Sequence, residues 1–260
     1  MATILVSLPV FLLVFVRLTA FFVAAPFFSA RGVPSQFKIG FAFLLALISF
    51  QYVPAQAQIP MDTTFVLHVI KEVLVGVILG YLCELMYLTV QVAGGLMDMQ
   101  MGFAMANVID PRTGVYVPIT GNFKSILAML YFLSIDGHHM LIRGIMTSYQ
   151  AIPLDRVWIA LGDEKVLWLF VKVFRDMFAS AFLIAAPIVV ALFLVDLSLG
   201  IIAKSVPQFN IFVVGLPLKL IASFLLLIVV MPAFLLTLNG LFQKMFRAAA
   251  EMMKLLGGSP

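Results

Sequence analysis

The chain has 260 residues, of which 63% are hydrophobic and only 11% charged, with 16 basic and 12 acidic side chains for a net charge of +4. A soluble domain carries about 25% charged and 45–50% apolar residues, so this composition excludes one and leaves an integral membrane protein. The basic residues are scattered, which reads as membrane-flank charge rather than a nucleic-acid surface. Apolar runs are repeatedly broken by charge, proline and glycine, and ionisable groups at membrane depth persist mainly where they face protein or water.

The first predicted span covers residues 4–28 and contains Pro9, Arg17 and Pro26. Nothing basic precedes Arg17 and the apolar run continues past it, so a cleaved signal peptide is not expected. Gly32-Val33-Pro34 reads as a turn. A second, short span at 37–53 ends in the polar, proline-containing stretch 54–62. The third span, 64–92, carries Lys71, Glu72 and Glu84. Its Gly76 and Gly80 stand four apart on one helix face, where another backbone can approach closely. Lone Cys83 cannot form an internal disulfide and reads as buried filler.

From 94 to 124 the pattern changes: GGLMDMQMGFAMANVIDPRTGVYVPITGNFK is too broken for a spanning helix and too apolar for a solvated loop. Irregular backbone at membrane depth is tolerated only where protein or a water-filled cavity satisfies it. Residues 125–135 form a short apolar run, followed by Asp136-Gly137-His138-His139 and a mixed segment ending near Tyr149. An exposed connection is expected at 153–165, and a long span at 166–196 carries Lys172, Arg175, Asp176 and Pro187. A broken connection at 200–210 precedes the last span, 211–236, which holds Gly215, Pro217, Lys219 and Pro232. The tail, 243–260, begins as a basic amphipathic helix. The expectation is an all-α polytopic membrane protein of five or six long helices, kinked or discontinuous in places, forming a single domain over 1–260. Lys244, Arg247 and Lys254 favour a cytoplasmic C-terminus, while the other loops vote both ways.

Arg17 sits amid apolar residues and reads as a protein-facing charge, with Glu72 or Glu84 as partner. His138 and His139 are adjacent, so a helix would point them apart, and no further spaced ligand completes a metal set. No metal and no cofactor are expected. Neither a G-x-S-x-G elbow nor a GxxxxGK[ST] loop occurs, and no enzyme activity is expected. The methionines Met97, Met99, Met101 and Met105 around Phe103 have two readings: packing filler, or a deformable seal that yields to a passing chain.

Particular marks then accumulate along nearly the whole chain. They are Arg17 followed by Ala25-Pro26-Phe27-Phe28, Lys71-Glu72 with Gly76 and Gly80, Gly94-Gly95 to Asp98, Gly102-Phe103 and Asp110-Pro111. Asp136-Gly137-His138-His139 and Ser148-Tyr149 continue the series, as do Asp196 to Gly200, Pro207-Gln208-Phe209-Asn210 and Gly215-x-Pro217-x-Lys219. The chain resembles the FliR/SctT family of type III secretion export-gate subunits. Where the family commonly has Asn-Gly-His-His, this chain has Asp136. The resemblance implies a non-enzymatic, channel-forming subunit of the flagellar protein export gate in the bacterial inner membrane and flagellar basal body. One copy would join five FliP and four FliQ subunits in a helical complex lying partly on the periplasmic side, working with FlhB and FlhA on unfolded flagellar subunits. Lipids and these proteins are the expected partners, and nucleic acid is not. The resemblance also implies that the segment 97–121 plugs the lumen: Met97, Met99, Met101, Phe103 and Met105 as a closing surface, and Asp110, Pro111, Arg112, Gly114 and Pro118 in a displaceable plug. Arg17, Pro26, Glu72, Gly76, Gly80, Pro207, Asn210, Pro217 and Lys219 are expected to serve assembly, and the charges to face other subunits or the channel. The competing readings are a secondary transporter, which would commonly show paired internal repeats, and a structural membrane subunit that lines no path.

Overall fold

The computed structural model describes residues 2–28, 33–50, 59, 61–103, 118–206 and 211–258, with the side chains of 2–7 and 211–212 left aside. Among these residues seven α-helices occur and no strand. They are α1 (Ala2–Ala24), α2 (Ser35–Ser49), α3 (Thr63–Met101), α4 (Ile119–Ser134), α5 (Gly137–Ala151), α6 (Glu164–Ser205) and α7 (Ile211–Leu256). Three of them, α3, α6 and α7, are long and apolar enough to cross a membrane, and α4 and α5 form a further candidate span bent by 70°. The all-α, polytopic expectation is met, bent element included, but among the described residues three membrane-length helices, or four with the bent pair, stand where five or six were expected.

The long helices run further than the glycine pattern suggested. Helix α3 was expected to stop at 92 but passes through Gly94-Gly95 to Met101. Its Gly94 lies against the backbone of Gly121 in α4, so closely that a Cβ there would overlap the Gly121 Cα. The glycine costs helix propensity of about 1 kcal/mol, and close backbone packing between α3 and α4 overrides that cost. Likewise α6 continues through Gly200 to Ser205 instead of breaking, and α7 absorbs both the last span and the basic tail as far as Leu256. Single glycines on these helices are tolerated because the flanking apolar residues pack or face lipid-like surroundings. Helix α3 does end at a glycine, Gly102, whose φ of +90° suits a residue without Cβ.

The described residues fall into two compact units. The first comprises Met1–Tyr87, Leu133–Phe174 and Phe242–Pro260, and the second Leu88–Phe132 and Arg175–Leu241. In the first unit, Gly76 and Gly80 of α3 lie on α1: a Cβ on Gly76 would come within 2.8 Å of the Ala20 Cβ, and one on Gly80 within 2.8 Å of the Ala24 Cβ. The small-residue face read from the sequence is used against a helix of the same chain. Helix α3 is inverted in polarity here. It buries Lys71 and Glu72 while Val66, Leu67, Ile70, Val73, Leu74, Val77 and Tyr81 form an exposed stripe at three- and four-residue spacing.

Candidate functional site

Two polar clusters stand out, one in each unit. In the first, Arg17 of α1 is fully buried and spends every nitrogen of its guanidinium on the chain itself. Its Nε donates to Glu72 Oε2, its Nη1 to Ser148 Oγ at 3.0 Å and its Nη2 to the Ile152 carbonyl at 2.8 Å. The guanidinium also lies 4.3 Å from the centre of the Tyr149 ring, whose hydroxyl donates to the Val14 carbonyl at 3.0 Å. A cation beside the last turn of α5 is favoured by the partial negative charge of a helix C-terminus. Lys71 adds a second cation to Glu72, at 2.6 Å. The same ammonium donates to the carbonyls of Pro153 and Arg156 at 2.9 Å and of Leu154 at 3.3 Å. The cluster thus ties α1, α3, α5 and the connection after α5 together. Of the two acids offered as partners for Arg17, the fold selects Glu72. Arg17, Lys71 and Glu72 each find counter-charges or carbonyls on the chain's own helices.

The second cluster surrounds the end of α3. Asp98 is fully buried, and both its oxygens accept from the backbone N–H of Thr120, at 3.1 and 3.2 Å. A carboxylate from α3 therefore caps the first turn of α4, where free N–H groups and the helix dipole favour negative charge. Thr120 Oγ1 also donates weakly to Met101 Sδ at 3.6 Å. Nearby, Asp196 of α6 accepts from Gln100 at 2.8 Å and pairs with Lys219 of α7 at 2.7 Å. Phe103 meets Phe224 edge-on at 6.3 Å between ring centres. Both flanks of the segment 104–117, Met101 to Phe103 on one side and Pro118 to Thr120 on the other, are therefore held in one place.

The proposed closing residues divide. Met97 and Met101 are fully buried on one face of α3, Met99 is 67% exposed on the other, and Phe103 and Pro118 are half-buried. Met105, Asp110, Pro111, Arg112 and Gly114 lie outside the described residues, as do Pro207 and Asn210. Pro26 is buried in the turn after α1, and Pro217 is exposed inside α7, two residues before Lys219. Sequence reading missed Lys124: it is 1% exposed, with its Nζ 4.6 Å from the centre of the Phe234 ring. The one available signal was a single cation opening an apolar helix. His138 and His139 also differ from expectation, with ring centres 4.1 Å apart rather than diverging. Asp136, just before α5, is left-handed (φ 56°). Asp136, His138 and His139 bring one ligand atom each within 4.8 Å, a trio that could hold a metal ion.

These features define a polytopic α-helical membrane protein that buries Arg17, Lys71, Glu72 and Asp98 within the chain and exposes much apolar surface. The family model for bacterial export proteins, family 1, matches residues 8–245. The flagellar biosynthetic protein FliR of Bacillus subtilis (strain 168) is 45% identical over 251 residues, covering 96% of this chain and 97% of the relative. FliR of Pectobacterium carotovorum subsp. carotovorum is 30% identical over 94% of this chain and 93% of its own. FliR of Escherichia coli (strain K12) is 28% identical over 91% and 89%. The chain belongs to the bacterial export protein family 1, and within it to the FliR proteins. Family membership and the membrane-length helices together support an inner-membrane location.

Proposed function

We propose that the chain is a non-enzymatic, channel-lining subunit of the flagellar protein export gate. One copy assembles with five FliP and four FliQ, adjoins FlhB and FlhA, and helps pass unfolded flagellar subunits across the inner membrane, part of the complex lying on the periplasmic side. The observation that carries the assembly reading is kinship with the FliR proteins over nearly the whole chain. Exposed apolar side chains run along α6 from Phe178 to Ile202, about 36 Å of helix at 1.5 Å per residue, a length a tilted spanning helix accommodates. Exposed Lys172 and Arg175 precede that run.

The gate itself is read from the flanks of 104–117. Asp98 and Phe103 hold the flanks through Thr120 and Phe224, Met97 and Met101 are buried on α3, and Met99 with Phe103 offers thioether and ring to a closing surface. A dry constriction of such groups holds back ions. Two experiments test the reading. The native assembly, extracted in mild detergent, should contain several different subunits with this chain as a minority component. Replacing 104–117 with Gly-Ser repeats should raise ion conductance through that assembly, and unchanged conductance refutes the plug. Uptake of a small solute by the purified single chain would favour the transporter reading instead.

A further inference from the structure

The first unit contains a cavity of about 320 Å³ between α1, α3, α5 and α7. Its walls are apolar, with Phe21, Leu79, Cys83, Ile145 and Met253 among them. Only two side chains on its lining carry polar groups beyond Cys83, and both come from α5: Arg143 and Thr147. They stand one turn apart on the same face of the helix. Arg143 is exposed, and its guanidinium makes no hydrogen bond or ion pair among the described residues. Thr147 donates its hydroxyl proton to the Arg143 carbonyl at 2.8 Å, which leaves its oxygen lone pairs available.

We propose that this cavity is a binding site for one anionic membrane phospholipid, an acyl chain filling the apolar space and the phosphate pairing with Arg143 at its edge. The volume corresponds to about ten waters, yet an apolar lining gives water too few partners to stay. An apolar side chain from a protein neighbour would fill the space but leave the guanidinium unpaired. A zwitterionic lipid would bring its own cation to that edge. An anionic lipid alone satisfies both halves, because arginine and phosphate form a charge-assisted, two-pronged hydrogen-bond pair. The walls belong largely to membrane-length helices and to the bent α4–α5 pair, so acyl chains are the natural solvent around them.

The fold provides two tools for the test. Gly144 lines the cavity, and a Cβ built on it meets nothing within 4 Å, so the side chain of Gly144→Leu starts in open space at the cavity wall. Cys83, the single cysteine, lines the wall while only 1% exposed. The full-length chain is reconstituted in nanodiscs of equal phosphatidylglycerol and phosphatidylethanolamine, then extracted, and its retained lipid is measured by native mass spectrometry. Wild type should retain phosphatidylglycerol selectively. Arg143→Gln should lower that retention roughly tenfold, the size of one lost charge-assisted hydrogen bond. Gly144→Leu should abolish it, and stripping wild type of lipid should speed maleimide modification of Cys83. Equal retention of both lipids, or wild-type retention by Gly144→Leu, overturns the proposal. So does a Cys83 that becomes protected only when other gate subunits are added, since that assigns the cavity to a protein side chain.

Discussion

Removing Glu72 should damage this protein more than removing Arg17, although the two form one buried pair. Both side chains are fully buried. Breaking a buried ion pair by deleting one member costs about 3–5 kcal/mol, mostly because the other charge is left uncompensated. Arg17→Ala leaves Glu72 facing Lys71 at 2.6 Å, so the carboxylate keeps a counter-charge and the loss should fall near 3 kcal/mol. Glu72→Ala leaves two buried cations in the same cluster with only carbonyl and hydroxyl oxygens around them, placing it at about 5 kcal/mol or above. The double variant Arg17→Met/Glu72→Met removes both charges but leaves Lys71 as one buried cation held only by carbonyls, so its loss should fall between those of Arg17→Ala and Glu72→Ala. Cys83 supplies the assay. It is buried, so its alkylation rate in mild detergent, followed against temperature, reports opening of the first unit. The expected order of thermal midpoints is wild type, then Arg17→Ala, the double variant and Glu72→Ala, following zero, one and two stranded cations. If the double variant falls below both single ones, with their losses simply adding, then the two side chains are uncoupled and the reasoning fails.

Three further perturbations address the second unit. Gly94→Val drives a side chain into the Gly121 backbone, so it should separate α3 from α4 and cost about 2–4 kcal/mol; the alkylation of a cysteine placed at Ala128, fully buried in wild type, should rise. Asp98→Asn keeps an oxygen acceptor for Thr120 and should lose less than about 1 kcal/mol, whereas Asp98→Ala should lose about 1–2 kcal/mol as the α4 cap disappears; equal melting of the two variants would deny the cap. Lys124→Met should leave stability unchanged or raise it, because a buried lysine with only a ring face as partner is costly, while motility of the complemented strain should drop if the cation serves the gate. A destabilised but fully motile Lys124→Met strain contradicts both parts.

Helix existence was legible in this sequence and helix length was not, for one physical reason. Hydropathy reports that a segment is apolar, but whether a glycine inside it ends the helix depends on what packs there. Gly94 looked like punctuation and is a contact point, whereas Gly102, eight residues on, does end the helix. An acidic partner for Arg17 was foreseeable because a charge flanked by apolar residues requires a partner, and few were on offer. Which of the two acids, Glu72 or Glu84, would pair was not foreseeable, since both lie on one helix and the choice depends on how α1 packs against it. Pairing of Asp196 with Lys219 was hidden similarly: the two belong to different helices, and nothing in their local pattern links them. The adjacent histidines misled because helical spacing fixes where side chains start, while rotation about their own bonds brings the two rings together.

These inward charges bear on how such a subunit can recognise its neighbours. Lys71, Glu72 and Arg17 satisfy one another within the chain, and Asp98 and Asp196 are likewise engaged, so these groups are not available as electrostatic keys for partners. The outward face of α3 offers instead a stripe of Val66, Ile70, Val73, Val77 and Tyr81, and α6 offers Phe178, Phe182, Leu183 and Phe193. In lipid, apolar faces gain nothing merely from meeting, because acyl chains solvate them as well as protein does. Association must then draw on shape, close packing and release of lipid. Specificity would reside in the relief of the stripe, so that Val73→Ala or Val77→Phe disturbs complex yield while an equally exposed surface charge such as Lys165→Ala does not. Wild-type yield from both stripe variants would show that recognition lies elsewhere.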